Sequence, residues 1–180
     1  MRCFNVIVGY KCFNKGLINK YGIVFEVGKC YHVDGEIKFG DKGNGFHMCL
    51  NLEDTLRYFD GFNEEIEICE VYGFGKVREF FDDYNEYYNL YSCEYLLVLR
   101  VLDREEIIKI MLESNYHNTI RFIQGFKLTN SELELFKRKY NNDKMIFNTI
   151  KCYQKQDCVV NEEENDLSLV KIRKTSNNVE

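Results

Sequence analysis

Phe25-Glu26-Val27-Gly28-Lys29-Cys30-Tyr31, then Gly35-Glu36-Ile37, then Gly45-Phe46-His47-Met48-Cys49, then Asn51-Leu52-Glu53-Asp54-Thr55-Leu56-Arg57-Tyr58-Phe59 is the stretch whose reading decides the fold. Short runs of β-branched and aromatic residues separated by glycine read as strands joined by tight turns. Asp34-Gly35 is a hairpin signal, because both residues accept positive φ. It predicts that Lys29–Val33 turns back onto Glu36–Phe39. Gly40-Asp41-Lys42-Gly43-Asn44-Gly45 reads as a loop, either flexible or approaching a ligand or backbone closely. Past the His47/Cys49 strand, Leu52, Thr55, Leu56 and Phe59 recur at helical spacing. Asn51 and Asp54 sit at capping positions, and Gly61 stands where such a helix would end.

Working outward, Cys3–Phe13 reads as a first strand with Gly9 as a candidate bulge. Ile23–Val27 reads as another short strand. Glu65–Tyr72 alternates as a half-buried strand with acidic residues on its outer row, and Phe74–Phe81 reads as a separate short one. Tyr95–Leu102 is the most apolar run and predicts a central strand. Asp103 with Glu106 is a capping box opening a helix to about Glu113, and Thr129-Asn130-Ser131 opens another. Tyr116–Phe126 fits a helix or a strand. Asp82–Tyr91, acidic and rich in tyrosine, reads as a surface loop. The expected fold is α+β, a mostly antiparallel twisted sheet with a few packed helices. It is laid out as one domain over 1–154 and a mobile tail over 155–180.

Composition narrows the function classes. Over 180 residues the chain is 45% hydrophobic, 29% charged and 15% aromatic, with formal net charge -5. These are values of a globular protein without the clustered Lys and Arg of a general nucleic-acid binder. A protein partner with a basic surface suits it better. No apolar run approaches the roughly 20 residues needed to span a bilayer, and Met1–Gly9 is too short for a signal sequence, so a cytoplasmic, non-membrane protein is expected. In that compartment the eight cysteines should be reduced thiols serving mainly as small core residues. Absent proline and tryptophan, with abundant Asn, Lys, Ile, Tyr and Phe, read as the codon bias of an AT-rich genome.

Three chemistries compete for the His/Cys stretch. Cys30/His32 and His47/Cys49 each have i, i+2 spacing, so on neighbouring strands they would offer zinc a Cys2His2 set. The C-x2-C chelate usual in structural zinc sites is missing, and no metal is expected. A thiolate–imidazolium pair of Cys49 with His32 is a second possibility, but no oxyanion element accompanies it. His47→Ala is expected chiefly to lower stability, because its strand should be half buried.

The third chemistry enters by resemblance. Phe25-Glu26-Val27-Gly28-Lys29, Gly35-Glu36-Ile37, Gly45-Phe46-His47-Met48-Cys49, Leu52–Phe59 and Ile68–Gly73 together resemble an uncharacterised family of small bacterial and phage proteins. The likeness spans about residues 7–102. It implies a compact α+β domain in a phage or mobile-element setting and carries no activity. More distantly, the order of elements is similar to that of small ADP-ribosyltransferases. That likeness implies NAD as cofactor, Lys11 in place of the usual Arg or His, His47 on the Gly-Phe strand, and Glu67 or Glu70 as the catalytic carboxylate. The Ser-Thr-Ser motif is absent. The expectation is therefore a non-catalytic, protein-binding effector or anti-defence inhibitor, needing no cofactor. Its binding surface is expected at Tyr84, Tyr87, Tyr88 and Tyr91, with the NAD-using transferase as the alternative.

Overall fold

Ile7-Val8-Gly9-Tyr10-Lys11-Cys12-Phe13-Asn14 alternates sides as a strand must, and the computed structural model pairs it with two partners at once. This model describes residues 6–39, 43–59, 65–80, 89–141 and 143–152. Strand β1 (Ile7–Asn14) runs antiparallel to β4 (Ile66–Glu79) along its whole length, from Ile7↔Gly73 to Asn14↔Ile66. On its other edge, Tyr10 pairs with Cys49 of β3 (Phe46–Cys49). β3 pairs with β5 (Leu90–Val101), and β5 pairs back onto β4. The antiparallel pairings thus close into a ring, β1–β4–β5–β3. Closure satisfies backbone edges that an open sheet leaves exposed. β2 (Cys30–His32) extends the sheet by pairing with β5 beyond the end of β3, from Cys30↔Leu97 to His32↔Tyr95. The α+β architecture with an antiparallel sheet is as expected.

Two glycines make the ring possible. A Cβ on Gly9 would strike the Cys49 carbonyl oxygen and come within 2.7 Å of Met48 Cε. Gly9 is therefore no bulge: it pairs regularly with Val71, and its missing side chain lets β3 cross close to β1. The irregularity lies in β4. Gly75, at φ +84°, sits where the β4–β5 register slips between Phe74 and Val77. Glu65–Tyr72 and Phe74–Phe81 are thus not two strands. The slip keeps pairing continuous, so β4 runs unbroken to Glu79.

The closed ring encloses Phe13, Leu17, Phe25, Met48, Cys69, Val71, Cys93, Leu96 and Val98 as one buried cluster. Phe25 anchors it, its ring 5.1 Å from Phe13 and 4.5 Å from Tyr31. Burying each large side chain stabilises the fold by roughly 1.5–3 kcal/mol. Cys12, Cys49, Cys69 and Cys93 are buried free thiols, as a core role predicts, whereas Cys30 and Cys152 are exposed.

The Asp34-Gly35 hairpin does not form. Val33 N donates to Glu94 O, so the chain stays with β5, and Tyr31 is drawn inward beside Phe25. Of the expected returning strand only the Lys38↔Asn44 bridge remains, and of Ile23–Val27 only Ile18↔Val24. The helix expected from Asn51 is a single 3₁₀ element, Glu53–Tyr58, with Leu52 at its N-cap. Asn51 gives its side-chain amide to Asp54 Oδ2 (3.1 Å) instead of accepting from backbone, which removes the capping interaction that would lengthen the helix. Gly61 lies outside the described residues.

The chain divides into two compact units, Met1–Leu128 and Thr129–Glu180. In the first, the predicted capping box is complete at α1 (Arg104–Glu113): Glu106 N donates to Asp103 Oδ1 and Asp103 N to Glu106 Oε2. Tyr116–Gly125 is a helix, α2, capped by Asn115 and buried through Thr119, Ile120, Phe122 and Ile123. That 3–4 spacing favours helix over strand. α2 packs on the 3₁₀ element, where Gly125 meets Leu56. In the second unit, Thr129 and Glu132 box-cap α3 (Asn130–Lys139), which buries Leu133 and Phe136. Asp143 caps a further helix, α4 (144–152), which buries Ile146 and Ile150. Among the described residues no helix is long and apolar enough to cross a membrane. The tail 155–180 lies outside them.

Candidate functional site

Where β1 and β3 converge, the first unit opens into a cleft of about 540 Å³. Tyr10, Lys11 and Cys12 line it from β1, and Phe46–Cys49 from β3. Tyr31 and His32 reach it from β2, Asn19–Tyr21 from the turn after β1, and Thr55 and Tyr58 from the 3₁₀ helix. The glycine-dense run supplies Gly43, Asn44 and Gly45 to the same wall. This size suits a small-molecule site.

The lining is electrostatically one-sided. In a chain of net charge -5, the cleft presents Lys11, Lys20, His32 and His47 and, among the described residues, no aspartate or glutamate. Its other polar edges belong to Tyr10, Tyr21, Tyr31, Tyr58, Asn19, Asn44 and Thr55. Lys11 donates its ammonium to the His47 carbonyl oxygen at 2.7 Å and lies 5.6 Å from the Phe13 ring centre. Burial pulls its pKa below the ordinary lysine value, and the nearby thiols of Cys49, Cys93 and Cys12 oppose that only in part. His47 stacks on Phe39 at 5.3 Å. Burial, with the charges of Lys11 and Lys20, pushes its imidazole down to about 4, so it is neutral at pH 7. Its Nε2 is buried without a hydrogen-bond partner. His32, at the rim, stacks on Tyr95 at 4.4 Å and has Asp34 and Glu94 carboxylates 3.8 Å from its Nε2.

Of the residues singled out by the transferase likeness, Lys11 and His47 meet at this cleft, and the two glutamates do not line it. Glu67 Oε2 accepts from Gly16 N (2.8 Å) and Leu17 N (2.9 Å), holding the turn after β1. Glu70 pairs with Arg100 Nε at 2.8 Å. The nucleophilic cysteine also falls away. Burial, with Asp54 adding to it, pushes the Cys49 thiol up to about 12, which keeps it protonated at neutral pH. The mirror pairs Cys30/His32 and His47/Cys49 are on β2 and β3, which each pair with β5 and not with each other. Among the described residues no three His, Cys, Asp or Glu side chains come together to hold a metal ion. Tyr84, Tyr87 and Tyr88 lie outside the described residues. Tyr91 is not a loop residue: it pairs with Met48 and Glu79 within β5 and packs against the core cluster.

A second charged group escaped the sequence reading. Glu53 and Asp54 on the 3₁₀ helix are 3% and 1% exposed. Asp54 is well paired, taking Asn51 Nδ2, Arg57 Nη2 at 3.3 Å and Arg121 Nη1 at 3.2 Å. Glu53 Oε1 has no partner, and burial pushes that carboxyl up to about 7. In sequence both read as ordinary first-turn helix acids. Only α2, arriving over the 3₁₀ helix, covers them.

These features define an antiparallel α+β domain with an open, aromatic cleft at the meeting of its first and third strands. The chain belongs to the family described as a domain of unknown function, DUF7666, whose pattern matches residues 7–109. The match begins on the first residue of β1 and ends inside α1, so it takes in the whole sheet. No curated protein and no solved structure matches the chain.

Proposed function

We propose that the protein is a binding protein whose working face is the Lys11/His47 cleft, and that its ligand is a small anion carrying a planar, apolar portion. The observation that carries this reading is the segregation of charge. A net-acidic chain places two lysines and two histidines, and among the described residues no carboxylate, in the lining of one concave surface walled by tyrosine and phenylalanine. Cationic groups beside aromatic faces suit a nucleotide-like molecule, with its phosphate near Lys20 and Lys11 and its base against Tyr or Phe. The expected role as a small phage or mobile-element effector that acts by binding, not by turnover, is compatible with such a site. Holding a small anion would then be its work alongside, or in place of, holding a protein.

The transferase alternative draws on the same lining, since NAD is both anionic and planar. Lys11 and His47 would meet the dinucleotide there, and the carboxylate role would have to come from a residue other than Glu67 or Glu70.

Calorimetric titration with AMP, ADP-ribose and NAD tests both readings. Binding that weakens with added salt and is lost in Lys20→Ala with Lys11→Met is the expected result. Absence of binding by all three at millimolar concentration refutes the cleft as an anion site. Release of nicotinamide from NAD would establish turnover.

A further inference from the structure

Lys20 and His32 reach the cleft from a turn and from its rim. Lys11 differs from both. It belongs to the sheet itself, and its amine makes one hydrogen bond, to the His47 carbonyl oxygen at 2.7 Å. The titratable groups acting on it are the thiols of Cys12 on its own strand, Cys49 on β3 and Cys93 on β5, and the Lys20 ammonium from the turn. His47, neutral at pH 7, is its remaining titratable neighbour. None is a carboxylate, and burial keeps the Cys49 and Cys93 thiols protonated up to about 12. A lysine with no counter-ion, opening on a cavity walled by aromatic rings, is in the setting that turns an ammonium into a nucleophilic amine.

We propose that Lys11 is a carbonyl-reactive amine and that the cleft takes a planar, anionic aldehyde, which condenses with Lys11 Nζ to an imine. The anionic half of this description rests on the binding reading above; the imine rests on Lys11. The Nζ lone pair attacks the carbonyl carbon and the C–N bond forms. The carbonyl oxygen then leaves as water with both amine protons, and a C=N double bond remains. No electron is gained or lost, so no oxidant or reductant takes part, and hydrolysis reverses the step. On taking up one proton from solvent the imine nitrogen carries a single N–H, which the His47 carbonyl oxygen is already placed to accept.

Pyridoxal 5′-phosphate is a suitable probe, having a flat ring, a phosphate and an aldehyde. The full chain is incubated with it, trapped with borohydride, digested and mapped by mass spectrometry. Pyridoxine 5′-phosphate, which lacks the aldehyde, is titrated separately by calorimetry. The expected result is a dominant adduct on the Lys11 peptide, formed about tenfold faster than on surface lysines such as Lys29 and Lys38. Its rate should level off at a pH below the ordinary lysine value. Mapping on the unaltered protein keeps the test independent of whether Lys11→Arg folds, and that variant's thermal melt is recorded as a control. Label spread over surface lysines in proportion to exposure overturns the proposal. If pyridoxine 5′-phosphate binds while Lys11 stays unlabelled, the imine falls and the anion site stands. If neither occurs, both fall.

Discussion

At the 3₁₀ helix, Asp54 is almost fully buried and receives an amide and two guanidinium groups; at the cleft, Lys11 receives nothing but a carbonyl oxygen. Both sites hide a charged side chain within one unit, only a few residues from the same β1–β3 crossing. A buried charge costs free energy unless it is paired or neutralised. The acidic side is settled by pairing Asp54 and protonating Glu53. The basic side is left open toward a cavity, where an incoming ligand can complete it. The contrast distinguishes a group that holds the fold from one that waits for something outside it.

Asp54→Ala is the harshest way to break that comparison. It removes the buried carboxylate that Arg57 and Arg121 share and should destabilise the protein by about 2–3 kcal/mol, discounted because both arginines are partly exposed. Urea unfolding would show a lower midpoint with an unchanged slope. A loss under about 0.5 kcal/mol would mean that the pairing is not structural.

Glu53→Gln works in the other direction. The folded state holds a proton on Glu53 up to about pH 7 that the unfolded chain releases near 4.5. The native protein therefore binds more protons across that window, and this group's contribution makes stability fall as pH rises from about 4.5 to 7. The glutamine variant should remove that fall and be more stable by about 1–2 kcal/mol at pH 8. Equal pH profiles for variant and parent would contradict it.

His47 has the opposite sign. Unfolded, it takes up a proton near pH 6.5; folded, not until about 4. Its contribution is present above 6.5 and lost as pH falls to 4. In the parent the two slopes overlap and partly cancel, so Glu53→Gln should expose acid sensitivity due to His47. Adding His47→Phe should flatten the curve again, by about 1 kcal/mol at pH 4.5. Chemical denaturation across pH 4–8 on the three proteins reads this directly.

Lys11→Met should have the smallest effect on stability and the largest on ligand. Replacing a half-buried amine that has no counter-ion by a thioether of similar length should leave stability within about 1 kcal/mol, or raise it slightly. Nucleotide binding should be lost at the same time. A variant that unfolds would place Lys11 with Asp54 among the groups that hold the fold.

Local chemistry made much of this legible. The box at Asp103/Glu106 lies within four residues and appears as read, and the helix start at Thr129-Asn130-Ser131 is that of α3. The apolar run from Tyr95 became the centre of β5, and the alternation from Glu65 became β4. Asp34-Gly35 misled because a two-residue turn signal is worth little against burying Tyr31 beside Phe25. The transferase likeness puts Lys11 and His47 in one site, but nothing in their spacing of 36 residues says that one donates to the other's carbonyl.

The sequence by itself determined the α+β class, the cores of β1, β3, β4 and β5 and the starts of α1 and α3, because propensity, periodicity and capping act over a few neighbouring residues. The tertiary structure alone decided that β1 pairs on both edges to close the ring, and that Glu53 and Asp54 are buried under α2. It also brought two lysines and two histidines to one wall of a cleft. Pairing partners, burial and the fields that move a pKa depend on distances between residues far apart in the chain, and those distances exist only once the ring has closed.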